Sequence, residues 1–137
     1  MVTSQSGIAL GVITADCAPV LFSDEQGTCV GAAHAGWRGA VLGVLEATGM
    51  AMRSKGAIGI RAVIGPCIQQ ASYEVGPDLR DAVLARNPED ARFFAAGSQA
   101  EKWQFDLPGY CAARLQIVDI PAVILTRDTC AEAQNFF

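Results

Sequence analysis

Apolar residues fall in blocks along this chain, separated by short polar or glycine-rich breaks. Ile8 to Ala15 (IALGVITA) is an apolar run of β-forming character. Such a run predicts a strand buried on both faces, ending or kinking at Asp16-Cys17-Ala18-Pro19. Pro19 lacks an amide hydrogen and biases Ala18 toward extended backbone, so Val20-Leu21-Phe22 continues as an edge or second strand. The polar turn Ser23 to Gly27 reverses the chain, and Thr28 to Ala33 (TCVGAA) returns as a strand. The turn length makes an antiparallel hairpin with Val20 to Phe22 the simplest pairing. That hairpin carries His34, the sole histidine, back toward Cys17.

A helical period follows. Val41, Leu42, Leu45, Thr48 and Met52 share one helical stripe, Arg53 and Lys55 suit the last turn, and Gly56 is placed as a C-terminal cap. One amphipathic helix is therefore predicted to start near Arg38. Arg61 to Gly65 reads as another buried strand, ended by Pro66-Cys67. Gln69, Gln70, Ser72, Tyr73 and Glu74 form a polar loop fit to line a pocket. Gly76-Pro77 opens a helix over Asp78 to Arg86 that Asn87-Pro88 closes. Glu89 to Glu101 gives only a loop or short helix. Asp106 is positioned to cap a helix from Leu107 through Leu115, with Pro108 in its first turn, and Ala122 to Leu125 is a last strand. Strands and helices are interleaved, which places the fold in the α/β or α+β class with mixed sheets flanked by helices.

Composition narrows the function classes. With 137 residues, 51% of them hydrophobic, the chain is sized for one domain with its own core. The net charge is −4 and no basic cluster occurs, so the electrostatic footprint of a nucleic-acid binder is missing. No apolar run reaches the ~18 residues of a membrane span, and no basic segment precedes Gly7 to Ala15 as in a signal peptide. A cytoplasmic protein is expected. The five cysteines are odd in number and widely spaced, which argues against a disulfide framework or a zinc ribbon. Cys67, Cys111 and Cys130 are expected to be structural, and Trp37, Trp103 and Phe105 to be core aromatics.

Cys17 and His34 converge at the ends of two paired runs and form one candidate site. They suit metal ligation, a nucleophile–base pair in a metal-free cysteine hydrolase, or plain core packing of a thiol and a backbone-bonded imidazole. Arg38 and the unpaired amides of the helix that follows suit an anion such as phosphate, with Gly36 and Gly39 allowing close backbone approach. Tyr73 and Glu74 are candidates for contact with substrate. A non-catalytic binding scaffold is a further alternative.

The motifs TADCAPVL, AAHAGWRGA, IGPCI with YEVG, W-x-FDL and RDTC, in this order and over nearly the whole chain, resemble the family once called polyphenol or multicopper laccases and now described as purine nucleoside phosphorylases. The resemblance implies an α/β fold and a zinc ion, rather than copper, held by two histidines and one cysteine. It also implies cleavage of adenosine, inosine, guanosine and methylthioadenosine with phosphate, with adenosine deamination as a second activity. Cys17 and His34 match the family's cysteine and second histidine. The family's first ligating histidine lies in an N-terminal segment for which this chain has no counterpart, and the family continues beyond Phe136-Phe137. An incomplete domain is therefore expected, with a third ligand outside it and self-association through uncovered apolar surface. Cys67, Asp16 and Glu74 are the conceivable substitutes for that ligand.

Overall fold

The computed structural model describes residues 1–136; of the terminal pair, Phe137 lies outside the described residues. The elements are β1 (Val2–Thr3), β2 (Ala18–Ser23), β3 (Val30–Ala35), α1 (Trp37–Leu42), α2 (Val44–Arg53), β4 (Arg61–Ile64), β5 (Glu74–Val75), α3 (Pro77–Arg86), β6 (Phe94–Ala96), β7 (Trp103–Phe105), α4 (Leu107–Ile117) and β8 (Ala122–Ile124). Five strands form a sheet in the order β1-β3-β2-β4-β8, in which only the β4–β8 pair is parallel. A second sheet of three short strands has the order β5-β7-β6.

The hairpin forms as its turn chemistry dictates. Asp24 accepts hydrogen bonds from the Thr28 amide at 2.7 Å, the Thr28 hydroxyl at 2.7 Å and the Cys29 amide at 3.0 Å. Those donors, the Cys29 amide foremost, hold the Asp24 carboxyl below the usual carboxylate range. The register sets Pro19 opposite His34, Val20 opposite Ala33 and Phe22 opposite Gly31. Strand alternation then sorts the faces. Ala18, Val20, Phe22, Ala33, Ala35, Ala62 and Ile64 are buried in the core with Leu45, Met52 and Leu115 of the helices, while Leu21, Val63 and Val123 stand exposed on the opposite face.

The apolar run from Ile8 to Ala15 is not a strand. It has no ladder partner among the described residues, and Ile13 is 95% exposed. The edge of β3 is instead occupied by residues 1–3, where Met1 donates from its terminal nitrogen to the Ala32 carbonyl and accepts from the Ala32 amide. The predicted single helix is two. Gly43 takes the left-handed conformation at φ +90°, which a residue with a Cβ adopts at a cost, and separates α1 from α2. Leu42, assigned by period to the buried stripe, is consequently 83% exposed. Gly56 does close α2, with φ +89° and an Ala57 amide reaching back to the Met52 carbonyl.

Strand β4 buries one face only, since Arg61 and Val63 are exposed. The helices α3 and α4 stand where Pro77 and Asp106 place them. The Asp106 carboxylate accepts the Gly109 amide at 2.9 Å, and α4 runs two residues beyond Leu115. The segment without a clear pattern is a 3-10 turn (Pro88–Phe93) followed by β6. Phe105 is fully buried, stacked on Phe94 at 4.8 Å between centroids. Trp37 and Trp103 are only half-buried, each under a guanidinium, that of Arg38 at 4.3 Å and of Arg80 at 4.7 Å. Cys67 and Cys111 are core thiols as expected, whereas Cys130 is exposed. No helix among the described residues is long and apolar enough to cross a membrane.

Candidate functional site

The hairpin register decides where Cys17 and His34 point. Ala18 and Ala35 are paired and fully buried, so their neighbours Pro19 and His34 turn to the opposite face. Cys17 comes one residue before Ala18, just outside the ladder, and its side chain lies against Gly36. A Cβ built on Gly36 would stand 2.8 Å from the Cys17 sulfur, so the glycine is what makes room for the thiol. The Cys17 thiol is half-buried and the His34 imidazole is exposed.

Helix α1 begins at the end of the same strand. The residue before it, Gly36, offers no side-chain cap, and Arg38 follows as an exposed cation stacked on Trp37. A Cβ on Gly39 would lie 3.6 Å from the His34 carbonyl, the close approach expected of the glycines in this stretch. The long helix expected here to carry the anion field is a six-residue one, so Arg38 and the first amides supply the positive charge rather than an extended macrodipole.

Tyr73 joins this region. It is half-buried against Phe105 at 6.0 Å between ring centroids. Burial pushes its phenol up, the Cys17 thiolate adds to that and the Arg38 charge opposes it. Glu74 does not join them. Its carboxylate accepts the Ser98 amide at 2.6 Å, and that hydrogen bond, helped by Lys102, holds it below the usual range.

The conceivable third ligands are also committed elsewhere. Cys67 is fully buried, and that burial, with Asp106, Asp128 and Cys17 nearby, pushes its thiol up to about 12. Asp16 accepts the Thr129 hydroxyl at 2.8 Å and the Cys130 thiol at 3.3 Å. Among the described residues no group of three His, Cys, Asp or Glu side chains is placed to hold a metal ion. A thiolate and an imidazole suit zinc by chemical type, and a catalytic zinc takes three protein donors. Burial and then the Asp16 charge push the Cys17 thiol up, the reverse of the activation a metal-free nucleophile needs. No hydrogen bond joins it to His34 among the described residues.

Residues 126–132 are a part of the site region that the sequence reading did not use. Thr129, buried, holds Asp16, and Asp128 accepts the Ser72 hydroxyl at 2.6 Å. The one signal was the RDTC motif itself.

Comparison with known proteins places this geometry among relatives. The family model described as multi-copper polyphenol oxidoreductase laccase matches residues 1–137. A protein of Escherichia coli strain K12 named purine nucleoside phosphorylase YfiH is 39% identical over 134 residues, covering 97% of this chain and 53% of that protein. A Rickettsia prowazekii protein, also named a purine nucleoside phosphorylase, is 36% identical over 138 residues, covering 98% of this chain and 57% of its own length. The crystal structure of a Neisseria meningitidis protein superposes with a TM-score of 0.82 at 40% identity, covering 90% of this chain and 50% of that one. This chain spans about half the length of the curated relatives it matches.

Proposed function

We propose that this chain, which belongs to the multi-copper polyphenol oxidoreductase laccase family, carries the metal-binding and phosphate-binding face of a purine nucleoside phosphorylase. Support for this reading comes from the Pro19–His34 register, which turns His34 to the open face of the hairpin whose first strand Cys17 immediately precedes. Relatives named as purine nucleoside phosphorylases supply the substrate class.

In this reading Cys17, as thiolate, and His34 are two donors to zinc, in preference to copper, with the third donor outside the described residues. Zinc bound there supplies Lewis acidity and lowers the pKa of a coordinated water. Arg38 offers a bidentate fork to phosphate, and the first amides of α1 complete the cradle. Phosphate held in this way attacks the anomeric carbon of the ribose as the bond to the purine breaks, giving ribose 1-phosphate and the free base. Tyr73, its hydroxyl kept protonated, donates a hydrogen bond to sugar or base. Glu74, bound to Ser98, holds the small sheet together and so shapes the substrate wall rather than touching the substrate. Adenosine, inosine, guanosine and methylthioadenosine are the proposed substrates. Deamination of adenosine is the accompanying activity.

Zinc binding tests the donor pair. Equilibrium dialysis at neutral pH is expected to show a zinc affinity that falls at least ~10-fold in Cys17→Ser and in His34→Ala. Proton release on binding accompanies it in the wild type, because the thiol must ionise. Affinity unchanged in both variants would remove these residues from the metal site.

A further inference from the structure

The RDTC segment, Arg127 to Cys130, reaches back across 113 residues to the position immediately before Cys17. Thr129 is 3% exposed, and its hydroxyl donates to Asp16 Oδ1 at 2.8 Å. The Cys130 thiol donates to the same oxygen at 3.3 Å. Asp16 is held on its main chain as well, where its carbonyl accepts the Ile68 amide at 2.9 Å. Three segments that are distant in sequence, 14–17, 65–72 and 126–132, therefore meet at one residue.

The segment that holds Asp16 is itself anchored. Cys67 and Asp128 form a parallel bridge, with Cys67 donating to the Arg127 carbonyl and Thr129 donating to the Cys67 carbonyl, each at 3.3 Å. Asp128 accepts from the Ser72 hydroxyl at 2.6 Å and from the Cys130 amide at 3.0 Å. Arg127 pairs with Glu132. A buried hydroxyl fixed by this much structure is a rigid donor, and a rigid donor restrains what it holds.

We propose that Thr129 and Asp16 are positioning residues for Cys17: their hydrogen bond fixes the segment entering the strand so that the thiol stays seated against Gly36. The proposal rests on Cys17 being a functional donor, as above. Apolar residues 8–15 have no ladder partner among the described residues, so the Thr129–Asp16 bond and the Ile68 amide are the ties that hold the segment entering the site. Loss of the hydroxyl removes the shorter of the two side-chain bonds to Asp16 without emptying a core position, since valine fills nearly the same volume as threonine.

Alkylation by iodoacetamide, resolved for each cysteine by mass spectrometry, reads this directly. In Thr129→Val, Cys17 is expected to react on the order of five- to tenfold faster, the change in opening that loss of one hydrogen bond brings. Cys67 and Cys111, both buried, serve as internal reporters of global opening and should not change. Thr129→Ser, which keeps the donor, should react as the wild type does. An unchanged Cys17 rate, or a rise shared equally by Cys67 and Cys111, would overturn the proposal. If Thr129→Val fails to fold, Thr129→Ala gives the same comparison without added methyl bulk. None of these readouts depends on turnover. An inactive wild type would count against the nucleoside reading alone, while the alkylation rates would still decide the clamp.

Discussion

Cys17→Ala and His34→Ala are each expected to lower kcat/KM for phosphorolysis of inosine by roughly 10²- to 10⁴-fold, the range in which removal of a directly acting group falls. The stability of the same variants should barely move. His34 is exposed on the sheet face, and surface substitutions cost within about 0.5 kcal/mol. Cys17 is half-buried and lies just before β2, outside the ladder, so the loss of its sulfur removes modest packing. A large loss of activity beside a small loss of stability separates chemistry from folding. The double variant should lose little more than either single one, because two donors to one metal act as a unit. Steady-state kinetics paired with thermal unfolding checks this. Undiminished turnover in both single variants would show that the site lies elsewhere.

The second large effect concerns the frame behind the site. Glu46 of α2 is buried, and its Oε1 accepts from Arg114 of α4, also buried, and from Arg86 of α3 at 3.3 Å. One carboxylate oxygen thus joins three helices. Its partner oxygen Oε2 has no hydrogen-bond partner among the described residues, and the same holds for the buried hydroxyl of Tyr110. Glu46→Ala leaves the Arg114 guanidinium buried with no counter-charge, a change that typically costs ~3–5 kcal/mol. Glu46→Gln keeps an acceptor and should cost less. Replacing Glu46 and Arg114 together by leucine and methionine should recover most of the loss, because the cost comes from the stranded charge and not from the missing pair. Denaturant midpoints at constant m-value measure all three. A loss below about 1 kcal/mol in Glu46→Ala would mean that Arg86 or water already satisfies Arg114.

The parts of this molecule that sequence foretells are those specified by neighbouring residues. The β2–β3 hairpin follows from Asp24 and Gly27 in a short turn, and α3 and α4 start at Pro77 and beside Asp106 because capping is a matter of three or four consecutive residues. Ile8 to Ala15 misleads because apolar composition says that a segment can pair, not that an edge is open for it. Residues 1–3 have taken that edge. Gly43 splits a continuous helical stripe by a backbone choice that the stripe does not encode. The three-stranded sheet has strands of two or three residues, too short to display a period.

The candidate site divides in the same way. Cys17 and His34 come forward as candidates because a hairpin relates them locally, and Tyr73 and Arg38 as polar residues at chain turns. The Glu74 partner Ser98 lies in a stretch with no readable pattern. The Thr129–Asp16 bond has no local signal at all, because only the folded chain brings residues 16 and 129 together.

The most direct test of the central claim is a product assay with inosine, with and without phosphate, on the zinc-loaded protein. The account predicts hypoxanthine and ribose 1-phosphate in equal amounts, formed only when phosphate is present and lost in Cys17→Ala. Hypoxanthine released at the same rate without phosphate, or no base released at all, would contradict it.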